Sequence, residues 1–340
     1  MSVKVFINKV LRGISIGVII ALVPPALIGE LAKAFNLKTL IDLSSTIQAF
    51  LSIAIGVGIA LQFKLHALQA GSVTIASAIG SGALSFSDGT LSITGLGDII
   101  NAGLTAAIAV LVILLLGNRL KAFNILLLPT IVIVISGLIG LITLPYVEWF
   151  TETIGNAINY FTTLQPVFMG ILIAISFSIL ITSPISSVGI AVAIGLENVS
   201  AGAANIGAVA AGIGLAVSSF KANGLGPSTV LVLGSPKLQI INFLTRPKIM
   251  LPIMANAAVL GAMAGIIKLD MTTYGAGFGI VGLIGPLNYL GIVGYTLVNI
   301  LETIIIFIVV PFILAIIFDC LLIKKIKLID SEDYRIIEEK

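Results

Sequence analysis

The 340-residue chain is 58% apolar and only 10% charged, with a mean hydropathy of +1.20. That excludes an ordinary soluble domain, in which about a quarter of the residues carry charge. The formal charge of +3 is too small and too dispersed to form a nucleic-acid surface. The single cysteine, Cys320, leaves no partner for an intrachain disulfide or a cysteine-based metal cluster.

Apolar runs long enough to span hydrocarbon, about 20 residues each, follow one another from Gly13 to Leu322. Lipid offers the backbone no hydrogen-bond partner, so spanning segments must be helices or strands of a closed barrel. Runs such as Ile125–Leu144 lack the alternation of barrel strands. The predicted fold is therefore an all-α integral membrane protein with ten to twelve transmembrane or re-entrant helices.

In chain order, a basic amphipathic stretch, Met1–Arg12, precedes the first span. Pro24, Pro25 and Glu30 stand where a small-residue cleavage site would be needed, so the first helix is expected to be retained. Spans are predicted over 13–30, 46–63, 67–86, 99–117, 124–144, 166–183, 185–199, 202–220, 227–243, 249–267, 271–287 and 289–322. Segments 67–86, 202–220 and 271–287 are rich in Gly, Ala, Ser and Thr. Small residues suit close helix packing and also broken helices that line a wet cavity.

The resulting organisation is a first membrane repeat over 1–145, an interfacial amphipathic linker over 146–165 and a second repeat over 166–270. A re-entrant segment with a final long helix follows over 271–323, and a charged tail over 324–340. Lys4, Lys9 and Arg12 at one end and Lys324, Lys325 and Lys327 at the other place both termini in the cytoplasm of a plasma-membrane protein. Arg119 and Lys121 agree if 67–86 crosses fully, but Arg246 and Lys248 then fall outside.

An internal repeat underlies this division. Val57-Gly58-Ile59-Ala60 recurs as Val188-Gly189-Ile190-Ala191, and the same offset matches Leu65 with Leu196, Ala70 with Ala201, Gly71 with Gly202 and Ile75 with Ile206. Leu128-Pro129 and Leu251-Pro252 each open a later apolar run. Five crossings per half would make the halves inverted, the plan of many secondary carriers.

The repeat sets His66, the one histidine, opposite Glu197. Each stands where a span gives way to a small-residue segment, with Gln62 and Gln69 near His66 and Asn198 and Asn205 near Glu197. Ionisable groups at membrane depth cost about 2.5–3.5 kcal/mol, so they face a cavity or a partner. These six side chains are the candidate contacts for a polar solute; the alternative is that they are ordinary helix-end residues at the water interface. Lys237 could snorkel to the interface, and Glu302 could be a proton site or an interhelical partner. The Gly-rich segments lack a P-loop lysine, and there is no dinucleotide fingerprint or second histidine for a metal pair. No catalytic residue, metal site or cofactor is predicted.

Leu22-Val23-Pro24-Pro25-Ala26-Leu27-Ile28, Ser183-Pro184-Ile185-Ser186-Ser187, Gly195-Leu196-Glu197-Asn198 and Gly224-Leu225-Gly226-Pro227-Ser228 together carry a resemblance. The chain resembles the enzyme IIC membrane subunits of the sugar phosphotransferase system, and within them the stand-alone group that includes the perfringolysin regulator. The resemblance implies a homodimer in the lipid bilayer, moving a polar solute, a sugar, by alternating access. It also implies that a Glu and a His contact the sugar, roles that fall on Glu197 and His66. The chain departs from the fused members of that group: it carries no IIB or IIA domain, and Cys320 lies in an apolar run. Phosphotransfer would need a separate cytoplasmic IIB protein. The competing expectation is a membrane-embedded ligand sensor of the same fold that does not transport.

Overall fold

The computed structural model describes residues 1–34, 37–87, 89–93, 95–117, 119–326 and 328–336. Lys327 and the last four residues of the predicted tail lie outside them. In chain order the helices are α1 (Val3–Ala34), α2 (Lys38–Ala49), α3 (Leu51–Gln62), α4 (Ala67–Gly80), α5 (Ile99–Leu116), α6 (Asn124–Phe161), α7 (Pro166–Thr182), α8 (Ser187–Ala193) and α9 (Asn198–Asn223). They continue as α10 (Leu225–Leu233), α11 (Ile240–Thr245), α12 (Leu251–Ile267), α13 (Ile284–Val293), α14 (Leu297–Ile304) and α15 (Val310–Asp319). A hairpin, β1 (Leu84–Ser87) with β2 (Thr90–Ile93), sits between α4 and α5 with Leu84 opposite Ile93.

The all-α membrane class holds. Among the described residues six helical stretches are long and apolar enough to cross a bilayer, or seven if α2 and α3, bent by 49°, form one span. Three of the predicted spans correspond to shorter apolar helices, Ala67–Gly80, Pro166–Thr182 and Val281–Val293. Segment 67–86 ends early because Gly82 takes φ +72° and the chain turns into β1. Segment 185–199 holds only the seven-residue α8. The stretch 146–165 does not form a helix of its own but continues α6 to Phe161.

The chain divides into two compact units, Met1–Pro25 with Asp42–Phe150, and Ala26–Ile41 with Thr151–Lys340. In the first, α3, α4 and α5 meet around buried polar residues that tie backbones together. Ser77 of α4 donates to the carbonyls of Ser52 (2.8 Å) on α3 and Ala102 (3.1 Å) on α5. Asn101 of α5 donates to the carbonyls of Gly80 and Gly140, and Thr143 donates to its Oδ1 at 2.7 Å. Such bonds replace the water that hydrocarbon withholds.

The second unit is built on α7, α9 and α12, which approach at backbone contact. A Cβ added at Gly170 or Gly261 would strike the other's backbone, and one at Gly207 would strike Ala174. Helices pressed this closely gain dispersion contacts that lipid cannot supply. Around them gather Phe177, Ile173, Ile206, Leu260 and Phe307 as a continuous buried core. The final rod, which begins at Leu297, includes two π-helical stretches, Ile305–Val309 and Cys320–Lys325.

The predicted charged tail is not a loose stub over its described part. Tyr334 is fully buried with Ile329, Ile249, Ile253 and Leu215, and its hydroxyl donates to the Ile249 carbonyl at 2.8 Å. Burial pushes that hydroxyl above its ordinary pKa, so it stays a donor. The Tyr334 carbonyl accepts from both Asn223 and Gln239 at 2.8 Å. Asn242 donates to the Arg335 carbonyl, and Arg246 meets Asp333 at 3.0 Å.

The described C-terminal residues 328–336 form a strap on this unit; the chain leaves it at Asn223 and is back at it by Gln239, so 224–239 is a hairpin where the sequence predicts a crossing over 227–243. Arg246 and Lys248 pair with Asp333 and so lie beside the tail within this unit.

Replacing Tyr334 by Ala should cost about 3–5 kcal/mol, the range for deleting a buried aromatic ring. Tyr334→Phe, losing one hydrogen bond, should cost about 1 kcal/mol. Thermal unfolding of the detergent-solubilised protein checks both, and equal midpoints for the two variants would show that the ring is not core.

Candidate functional site

The candidate residues lie at two helix starts, one in each unit, and the local backbone is the same at both. After α3, the N–H of Phe63 donates to Ile59, that of Lys64 to Leu61 and that of Leu65 to Ala60. After α8, Ile194 donates to Ile190, Gly195 to Val192 and Leu196 to Ala191. Lys64 and Gly195 hold the left-handed position, φ +53° and +63°. This is a helix stop closed by a reversed residue, and a new helix starts two residues later. His66 caps α4 and Glu197 caps α9, both with extended backbone.

In the first unit His66 is exposed, and its N–H donates to Oε1 of Gln69 at 3.4 Å. Gln62, the last residue of α3, is only 5% exposed. In the second unit Glu197 and Asn198 are both exposed. The Glu197 N–H donates to Ser200 Oγ at 3.2 Å, which donates back to the Glu197 carbonyl at 2.7 Å. Asn198 is held at φ +53°, and its carbonyl accepts from Met271 N–H at 3.3 Å.

Asn205 is placed differently. It is fully buried two turns into α9, and its amide donates to the carbonyls of Gly275 and Gly279 (3.3 Å). Both of its N–H groups are thereby committed to backbone, which fastens the segment after α12 along α9. Glu197 and Asn198 are brought together with Ser200; Asn205 lies deeper in the same helix.

Residues not anticipated from the sequence join this end of α9. The bridge from Met271 to Asn198 draws in exposed Asp270 and Thr272. Asn288 of α13 accepts from the Thr272 N–H at 3.1 Å and donates to its hydroxyl at 2.7 Å. The polar run Lys268–Thr273 between two apolar segments was the available signal, but its place beside Glu197 depends on a pairing across the fold.

Chemically, this end of α9 offers a carboxylate that only accepts, amides that do both, and hydroxyls, a set suited to a ligand dense in OH groups. Among the described residues no cluster of three or more His, Cys, Asp or Glu could hold a metal ion. A cavity in this unit, about 550 Å³ between α9, α10 and the final rod, is mostly apolar: Ile213, Val217, Phe220, Val232, Ile280 and Phe312 are on its wall, with Ser228 and Thr229 as its two hydroxyl residues. None of the candidate residues lines it, and two hydroxyl side chains would leave most of a sugar's hydroxyls unpaired.

Glu302, the other membrane carboxylate singled out, accepts from Tyr289 OH at 3.2 Å, and the Tyr289 ring packs on Phe307. It is thus an interhelical partner.

The sequence model of one family, described as "Phosphotransferase system, EIIC", matches residues 8–336. No curated protein and no solved structure matches the chain.

The turn itself is testable. Gly195 has open space around it but φ +63°, so Gly195→Val should lose about 1–2 kcal/mol to left-handed strain. Gly195→Asn should lose less, since Asn tolerates that region. Equal unfolding midpoints for the two variants would contradict the reversed turn.

Proposed function

We propose, for a chain that belongs to the EIIC family of the phosphotransferase system, that this multi-pass membrane protein is the sugar-translocating permease subunit and that Glu197 binds a hydroxyl of the sugar. The observation that carries the reading is the repeated turn, which ends one helix and starts another at both His66 and Glu197. Paired broken helices are where carriers place their substrate sites. Glu197 and Asn198 supply the contacts in the second unit, and His66 with Gln69 is the corresponding group in the first.

The solute is moved by alternating access, in a homodimer with its termini in the cytoplasm. A separate IIB protein delivers the phosphoryl group: a hydroxyl oxygen of the sugar forms the new P–O bond as the bond from phosphorus to the IIB carrier breaks, and the hydroxyl proton ends on the freed carrier group. This chain orients the hydroxyl, and holding the reacting atoms in line is itself a large part of such catalysis. A ligand sensor of the same fold finds less support, because the tail it would signal through is spent on packing against α9 and α12.

The test is binding by purified protein of glucose, galactose, mannitol and N-acetylglucosamine, read as a rise in unfolding midpoint. Glu197→Gln should leave the midpoint without sugar within about 0.5 kcal/mol of wild type, as for an exposed substitution. It should weaken sugar binding by about tenfold to a hundredfold, the worth of a charged hydrogen bond. A variant that binds the same sugar as tightly as wild type takes Glu197 out of the site.

A further inference from the structure

One buried cation has no place in the reading above. Lys237 follows α10 on the returning limb of the 224–239 hairpin and is 5% exposed. Its ammonium donates to the Ser183 carbonyl at 2.5 Å and the Ile185 carbonyl at 2.8 Å. Among the described residues no carboxylate pairs with it. A buried charge of this kind is costly unless it is fully satisfied, and the side chain is the opposite of a snorkelling lysine.

The two carbonyls are informative because they belong to a break. α7 ends at Thr182, and Pro184 cannot donate to continue it. The Ser183 and Ile185 carbonyls lie in the break itself, between the end of α7 and the start of α8, and buried carbonyls there need partners from outside the two helices. Lys237 supplies those partners from another element. The break leads directly into α8, whose first residue, Ser187, donates to the Gly277 carbonyl at 2.8 Å. α8 then runs into the reversed Gly195 and the start of α9 at Glu197.

The hairpin that carries Lys237 is itself fixed at its feet by one acceptor, the Tyr334 carbonyl, through Asn223 and Gln239. Gln239 and Lys237 belong to one short 3-10 turn, Pro236–Gln239, so the turn that Gln239 ties to the C-terminal strap is the one that Lys237 ties to the α7–α8 break.

We propose that Lys237 is a positioning residue for the sugar site: by holding the Ser183 and Ile185 carbonyls it fixes the angle at which α8 leaves α7, and so sets where Glu197 stands. The proposal deepens the permease reading, since it takes Glu197 as the sugar-binding carboxylate. Lys237 itself touches no sugar. A planar guanidinium also donates to carbonyls, so arginine retains the function, whereas methionine keeps the stem and removes every donor.

The experiment compares full-length wild type, Lys237→Met and Lys237→Arg by hydrogen exchange and by sugar binding. In Lys237→Met, amides of residues 185–197 should exchange about tenfold faster or more, a local opening made easier, while α9 residues 205–219 keep their protection. Lys237→Arg should restore slow exchange in 185–197. The dissociation constant for whichever of glucose, galactose, mannitol or N-acetylglucosamine wild type binds should rise about tenfold in the methionine variant and recover in the arginine variant.

Exchange in 185–197 that is the same in methionine variant and wild type overturns the proposal. So does a uniform rise across α9, which would make Lys237 a general core residue. If wild type binds none of the four sugars, the permease reading loses its support while the exchange data still decide whether Lys237 holds the α7–α8 break.

Discussion

Backbone contact between α7, α9 and α12 is the constraint on which the second unit depends. Gly170 and Gly261 meet with no room for a methyl group, and Gly202 lies against the Leu269 carbonyl in the same way. In water such an interface would be favoured by burial of apolar surface. In lipid that drive is largely absent, and close packing with shared hydrogen bonds has to suffice. The small side chains of α9, suited by sequence either to close packing or to a broken helix, are here a packing requirement. They let a 26-residue helix, about 39 Å long, lie buried at the centre of its unit. Glu197 is at its start and Asn223 at its end, so fixing α9 fixes both the candidate site and the anchor for the tail.

Polar residues inside this protein serve two purposes, and burial separates them. Ser77, Asn101, Asn205 and Lys237 are buried and donate to main-chain carbonyls. Each replaces a solvent bond that the environment does not provide, and together they hold helix ends, glycine segments and breaks in place. Glu197, Asn198, Asp270 and Thr272 are exposed at one end of α9. Their side chains can meet a solute without first breaking into the core. That difference favours the start of α9 over its middle as a binding surface for the EIIC family member.

The membrane class was legible because composition and run length depend on no tertiary information. The helix stops before His66 and Glu197 were legible in part: Val57-Gly58-Ile59-Ala60 and Val188-Gly189-Ile190-Ala191 lie in the two helices that those stops terminate. The hairpin at 224–239 was not. Its apolar strings, Val230–Leu233 and Ile240–Ile241, read locally as one span. What turns it back is a carbonyl at Tyr334, almost a hundred positions away. The strap was hidden for a related reason. Asp330, Glu332, Asp333 and Arg335 give it the look of a solvated tail, while Ile329, Tyr334 and Ile336 do the packing. Lys237 suffered from the usual prior for lysine in a membrane protein, which is to reach outward, whereas here two orphan carbonyls draw it in.

The most direct test of the account is a density map of the protein purified with a sugar that binds it. The account predicts a sugar ring at the start of α9 with one hydroxyl about 2.6–3.2 Å from the Glu197 carboxylate. A sugar bound elsewhere, with Glu197 facing only solvent, would contradict it.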